Sequence, residues 1–334
     1  SGASPEVQVT ATASGVDRPF GVYEADILII GGGLAGLYAA KKAMSEGATV
    51  IIVDKGPFGH SGTSGINWGH DMETNEWSPD DGSSSLGVNI FLHDGMVDQD
   101  YDLAMCKEIH EARPIATNEQ MGCVAERDAN GDPIGKNAEA PLAVDHGCFP
   151  RAWAQYARRK GAKIIDRTMV TKILLSDKGE AAGAVAINTV TGDAIVIRSK
   201  AVVMATGSYA WCYGWTGNTA CTIAGPENTG DGLSMIMNMG LEMRDMEQLP
   251  FDCVQIFPTS TAYGMGTLGL SIVNHIYALN KNKERYTQML DDGTQGSNSL
   301  FMRLTMREIK EGRGLDNGCA YLDTKDLDKL NRYY

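Results

Sequence analysis

Gly31, Gly33 and Gly36 stand at G-x-G-x-x-G spacing, directly after the apolar run Asp26-Ile-Leu-Ile-Ile30 and before the amphipathic stretch Leu37 to Glu46. That spacing handles anions with backbone alone. The first glycine turns the chain, the second admits a pyrophosphate to the main chain, and the third lets helix and strand pack closely. N–H groups at the start of the following helix then face the phosphate. A second apolar strand, Thr49-Val-Ile-Ile-Val53, ends on Asp54, 18 residues beyond Gly36, where a carboxylate can accept from a pair of ribose hydroxyls. With 39 glycines in 334 residues the triplet alone is weak. The complete strand, turn, helix and strand unit is what makes it a dinucleotide site.

Such a cradle needs a sheet to hold it. After Asp54, the stretch Lys55 to Gly69 is rich in glycine and small hydroxyl residues. It suits either a backbone laid against a flat ligand or a surface loop. Residues 99–121 read as a helix broken by Pro114, and Ala152 to Lys160 as another. Strand patterns follow at Ala162–Ile165, Val170–Leu175, Ala182–Asn188, Ala194–Arg198 and Ala201–Ala205, with a hairpin turn over Thr189–Asp193. The run Ala201 to Ala205 is apolar throughout and leads into Thr206-Gly207-Ser208. A glycine at a strand's carboxyl end belongs beside the ligand in an open α/β sheet, so Ala205, Thr206 and Gly207 are expected to return to the site of Gly31 to Gly36. Met235, Met237, Met239, Met243 and Met246 read as filler on a buried helix.

Composition narrows the function. The chain carries 42 acidic against 29 basic residues, a formal charge of -13, which argues against a nucleic-acid or anionic membrane partner. Seven cysteines without a C-x-x-C pair fit reduced thiols in a cytoplasmic protein, and no close Cys/His array offers metal ligation. No apolar run approaches the roughly 20 residues that span a bilayer. Residues 1–23 read as a polar N-terminal tail.

Taken in order, the glycine fingerprint, the Ser/Gly/Thr loop, the meander ending in Ala205-Thr206-Gly207, and Asn228-Thr229-Gly230-Asp231-Gly232 resemble one family. It is the flavoprotein subunit of the fumarate reductase and succinate dehydrogenase superfamily. The likeness continues through Gly240 to Glu247, Phe257-Pro258-Thr259, Arg307 to Gly314 and Tyr321-Leu322-Asp323. It implies an α/β fold: a Rossmann-like FAD-binding domain with a parallel sheet and β-meander over residues 24–250, then part of an α+β capping domain over 251–334. It also implies FAD, with pyrophosphate at Gly31, Gly33 and Gly36, ribose at Asp54, and further contacts from Lys55, Ser61, Gly62, Thr63, Ser64, Gly65, Val170, Ala205, Thr206, Gly207 and Asp231. Asp231 also reads as a helix N-cap. His60 precedes the position, Ser61, where covalent members place their linking histidine, so binding is expected to be non-covalent.

The capping residues depart from the family. Phe257-Pro258-Thr259 stands where the dicarboxylate enzymes carry His-Pro-Thr, Gly269-Leu270-Ser271 where Thr-Glu-Gly is expected, and Asn298 at the position of the proton-shuttling arginine. Apolar side chains cannot grip a dicarboxylate by charge-assisted bonds, so the substrate is expected to be less charged, aromatic or alicyclic. Arg303 reads either as a shifted flavin-site arginine or as an exposed helix residue. His275, Tyr263 and Tyr277 are alternative proton donors, and Trp215, with Trp211 and Tyr213, is either core or a stacking wall for a flat substrate.

The resemblance implies hydride transfer from flavin N5 to an activated carbon–carbon double bond, with electrons from a donor protein or a reduced soluble donor. Two alternatives stand beside it: an adenylylsulfate-reductase-like flavoprotein and a non-catalytic flavin electron-transfer protein. Family members return to the FAD domain after the cap, whereas this sequence stops at Tyr334 with the cap in progress. A portion of a longer flavoprotein, or one half of a split one, is therefore expected, binding flavin poorly alone.

Overall fold

A computed structural model describes residues 21–62, 95, 98–112, 149–209, 227–246, 277–286, 298–316 and 320–323. β1 (Gly21–Ile30) enters the glycine turn, α1 (Leu34–Ser45) returns along it, and β2 (Val50–Val53) lies parallel to β1. α2 spans Gln99–Ala112. α3 (Phe149–Arg159) leads into β3 (Lys163–Ile165), parallel to β2.

β4 (Thr168–Leu175), β5 (Ala181–Asn188) and β6 (Ala194–Met204) form an antiparallel meander whose last strand pairs parallel with β1. The six strands stand in the order β3-β2-β1-β6-β5-β4. The α/β class and the parallel sheet with its meander are thus as expected. The hairpin turn is built as read: Gly192 takes φ +75°, and Asn188 Oδ1 accepts from the N–H groups of Val190 and Thr191, both at 2.9 Å.

The period of two in β1 divides the core into two layers. Ile27 and Ile29 face α1 and α3, packing with Val50, Ile52, Leu37, Ala40, Phe58 and Trp153. Leu28 and Ile30 face the meander, with Ile51, Val53, Val170, Ile173, Ala184 and Ile197. Burial on both faces is why β2 is apolar at all four positions.

Two strand expectations change. Ala194–Arg198 and Ala201–Ala205 are one continuous strand, since Ser199 stays in register with Ala25 and Lys200 Nζ reaches Asp26 Oδ1 at 2.6 Å. Asp26 also accepts from Thr49 N–H and Oγ1, so the polar interruption is paired across the sheet instead of ending it. The same long partner draws β1 back to Gly21, three residues before the expected start of the domain at 24.

α4 (Asp231–Asn238) corrects the methionine reading. Met235 and its C-cap Met239, four apart, pack on the second core layer, but Met237 lies on the opposite face and is 52% exposed. Met243 and Met246 fall beyond the helix. Later in the chain, β7 (Tyr277–Leu279) pairs antiparallel with β8 (Tyr321–Asp323), and α5 (Asn298–Lys310) lies between them in sequence.

Candidate functional site: a glycine cleft at the strand ends

The carboxyl ends of β1, β2 and β6 meet at the glycine turn. Gly31 adopts φ +108°, donates its N–H to Val53 O at 2.8 Å, and lies so close to β6 that a Cβ there would overlap the Ala205 carbonyl. Only glycine fits both the dihedral and the approach. A Cβ on Gly36 would overlap the Gly31 carbonyl, so that glycine lets α1 start directly above the turn. Gly33 is the N-cap of α1, with extended backbone and no side-chain cap bond, and no acid stands in the first helical turn. An anion at this end of α1 thus meets no side-chain cap and no like charge from the helix's own sequence.

Asp54 is buried, 8% exposed, and accepts three hydrogen bonds. Gly32 N–H donates to Oδ2 at 2.8 Å, and Gly56 N–H and Ser61 Oγ donate to Oδ1, both at 2.9 Å. Its main chain is also engaged: Asp54 N–H donates to Ile165 O, and Thr168 N–H donates to Asp54 O. Arg167 N–H, on a residue at φ +49°, donates to Gly56 O, so the start of β4 is fastened to the loop after β2.

A fourth segment, residues 227–232, closes the cleft. Lys55 Nζ donates to Thr229 Oγ1 at 2.6 Å and to Asp231 Oδ2 at 2.5 Å. Partial burial works against the charge of Asp231, but the bonds from Lys55 and Thr229 and the ammonium charge hold its carboxyl below the usual range. Glu227 Oε2 accepts from Gly62 N–H at 3.3 Å, and buried Asn228 donates from Nδ2 to Ser208 Oγ at 3.2 Å. A Cβ on Gly232 would overlap Thr206 Oγ1, so α4 begins hard against the end of β6.

The structure therefore brings together Gly31, Gly33, Gly36, Asp54, Lys55, Ser61, Gly62, Ala205, Thr206, Gly207 and Asp231. The N-cap reading of Asp231 is corrected: the N-cap is Gly230, at φ +76°, and Asp231 is the first helical residue. Val170 puts its side chain into the second core layer, leaving only its backbone to face a ligand. Ser61 is buried beside Asp54, and His60 is exposed. Asn298 is the first residue of α5, Arg303 is exposed on that helix, and Tyr277 opens β7. Thr63, Ser64, Gly65, Trp211, Tyr213, Trp215, Phe257, Tyr263, Leu270 and His275 lie outside the described residues. Glu227 and Asn228 join the site without having been singled out for a role; their place beside the Thr-Gly-Asp-Gly segment was the available signal.

These residues fit a dinucleotide. Glycines whose Cβ positions are already filled by neighbouring backbone, and a helix N-terminus without an acid, make room and donors for a pyrophosphate. Residues 26–331 match the family described as FAD binding domain. The chain belongs to this family. FAD is accordingly the cofactor of the chain, and this FAD binding domain protein shares its superfamily with fumarate reductase and succinate dehydrogenase flavoproteins.

One curated relative, a component of the fumarate reductase (CoM/CoB) of Methanothermobacter marburgensis, is 26% identical over 323 residues, covering 92% of this chain and 56% of the relative. Among solved structures, a mutant E. coli quinol fumarate reductase chain superposes with TM-score 0.72 at 22% identity, covering 92% of this chain and 56% of that one. Adenylylsulfate reductase of Archaeoglobus fulgidus superposes with TM-score 0.71 at 20% identity, covering 95% and 53%. The chain thus spans about half the length of these relatives. No helix among the described residues is long and apolar enough to cross a membrane.

Proposed function

We propose that the chain forms the FAD-binding part, over 24–250, and the first part of the cap, over 251–334, of a cytoplasmic oxidoreductase that reduces an activated carbon–carbon double bond. The substrate is a weakly charged, aromatic or alicyclic molecule, and electrons come from a donor protein or a reduced soluble carrier. The convergence of four segments far apart in sequence on one glycine cleft carries the flavin assignment. Phe257, Leu270 and Asn298, standing where a dicarboxylate enzyme carries His, Glu and Arg, support the substrate class.

Bound FAD supplies two-electron, hydride-level redox chemistry. The chain's own residues do the rest. The glycine turn and the start of α1 would hold the pyrophosphate by close backbone approach, the N–H groups of Gly31 and Gly32 being given to Val53 O and Asp54 Oδ2. Lys55, fixed by Thr229 and Asp231, would offer that anion a positive charge, and Thr206 and Gly207 close the cleft from β6. Tyr263, His275 or Arg303 is the proton donor, and Phe257, Asn298 and Trp215 shape the substrate side. FAD is held non-covalently: the Ser61 hydroxyl already donates to Asp54, and a serine offers no imidazole to link.

The test is anaerobic reoxidation of the reduced holoprotein. Reoxidation by enones or cinnamate-like acceptors at least tenfold faster than by buffer supports the proposal. Preference for fumarate would move the chain to the activity named for its Methanothermobacter relative. Reaction only with sulfite or adenylylsulfate, or only with a partner protein, would replace the proposal by one of its alternatives. Flavin that stays with acid-precipitated protein would overturn non-covalent binding.

A further inference from the structure

Residues 227–231 lie between two parts of the cleft, and their side chains go alternately to one and the other. Glu227 Oε2 accepts from Gly62 N–H at 3.3 Å, and its Cγ lies 3.4 Å from the point a Cβ on Gly56 would occupy, so this side chain meets the 56–62 loop at both ends. Asn228 goes the other way. Buried at 6% exposure, it donates from Nδ2 to Ser208 Oγ at 3.2 Å, beside Gly207 at the end of β6. Thr229 and Asp231 then return to the loop at Lys55. Neither Glu227 nor Asn228 belongs to the two apolar core layers, so what they fasten is the cleft and not the sheet beneath it.

We propose that Glu227 and Asn228 are positioning residues for the cofactor: together they hold the 56–62 loop and the end of β6 at one fixed separation. The proposal rests on the FAD assignment of this cleft. Glu227 acts on the loop where its own chain restrains it least, since Gly62 sits at φ +69° and a glycine there has the most backbone freedom to lose. Asn228 acts on the β6 end through Ser208, and because the two residues are neighbours, the loop and the strand end cannot shift independently. The task asks of Glu227 an acceptor oxygen and not a charge, so an amide oxygen in its place serves equally. Asn228 must supply an N–H donor, which an alanine cannot.

Two measurements decide it. The first is amide hydrogen exchange in the chain without added nucleotide. Glu227→Ala is expected to speed exchange in the segment 56–62, and Asn228→Ala in the segment 205–209, by about threefold or more, with the middle of β5 unchanged. Glu227→Gln is expected to exchange as wild type does. Unchanged exchange at 56–62 in Glu227→Ala would overturn the proposal. The second is titration with FAD of wild type and the three variants. Both alanine variants are expected to bind about fivefold more weakly or worse, and Glu227→Gln within about twofold of wild type. Equal losses in Glu227→Gln and Glu227→Ala would show that the charge acts and not the bond, and FAD affinity unchanged in both alanine variants would show that the cofactor does not feel the contacts; either overturns the proposal. A wild-type chain that takes up no FAD would count against the flavin assignment of the cleft, and the exchange rates would still decide whether the two residues hold its sides.

Discussion

Two buried carboxylates organise two parts of this molecule, and they do so with opposite partners. Asp54, at the end of β2, accepts only from neutral donors: two backbone N–H groups and a hydroxyl. Glu308, on α5 and 3% exposed, takes a two-pronged contact from Arg313, with Nε at 2.6 Å and Nη2 at 2.7 Å, and a third bond from Asn280. The Arg313 guanidinium is the main reason the Glu308 carboxyl falls to about 2, against the opposing effect of burial, and Arg313 itself is pushed further up. Around Glu308, Lys281 N–H donates to Arg313 O and the side chain of Asn280 caps the turn at residues 282–284, so the α5 C-terminus and the β7 end form one neutralised unit. An acid matched by a cation within its own unit serves as a staple. An acid matched only by glycine N–H groups and a hydroxyl, at the open ends of strands, shapes a cavity meant for something else.

The sharpest way to break the cleft is at its glycines. Gly36→Ala places a methyl on the Gly31 carbonyl, and unfolding in denaturant should show a loss of about 3 kcal/mol, with flavin no longer retained on gel filtration. Second in size, Glu308→Gln leaves the Arg313 guanidinium half-matched against a neutral amide. A loss of about 2 kcal/mol is expected, discounted because Arg313 is partly exposed, with the cleft and FAD affinity untouched. If FAD affinity also collapsed, the two carboxylates would not be independent.

The same pair sets a pH signature. The folded pKa of Glu308, about 2, lies below its ordinary 4.5, so its contribution is complete above about 4.5 and disappears as pH falls through 2. Stability measured from pH 6 to pH 2 should fall in wild type, and the fall should be shallower in Glu308→Gln. Lys55→Met is smaller still for the fold, about 1 kcal/mol or less, because the pair with Asp231 is about a third exposed. Its main effect should be a roughly tenfold weaker FAD affinity that wild type approaches at high salt. Arg244→Ala removes the exposed contact with Asp98 at the start of α2, and its unfolding midpoint should coincide with that of wild type.

What the sequence made legible follows from which interactions are local. β1, the turn, α1 and β2 are encoded within about 30 residues, and the Thr189–Asp193 hairpin within five, so periodicity and turn chemistry located them. The join of β6 across Ser199 and Lys200 was hidden because a polar pair normally ends a strand, and here its partner Asp26 is 174 residues away from Lys200 in sequence. The methionine face of α4 failed for a related reason. The five methionines read as filler on one buried helix, whereas the helix ends at Asn238 and shows Met237 to solvent. Asp54 is found by its position after β2, and the family pattern gives it a ribose to hold. Its three donors are visible only when Gly32, Gly56 and Ser61 are folded around it. Glu308 stood inside the Arg307 to Gly314 segment without a role of its own, since a Glu among charged helix residues carries no mark of burial until Asn280 and Arg313 close over it.

The pairing of β1 with β6 also sets an order of assembly. β1 meets β2 as soon as α1 has formed, but its other edge waits for a strand whose residues lie 174 positions later, as Asp26 does for Lys200. At about 5–20 residues per second of synthesis, that edge stays open for roughly 10–35 s, while the chain between is being made. During that interval the first core layer can close over Ile29 and Leu37, yet Leu28 and Ile30 remain uncovered. The nascent protein therefore carries an apolar, unpaired strand edge beside an unfinished nucleotide cleft, and expression at lower temperature or with a chaperone that shields strand edges should raise its soluble yield.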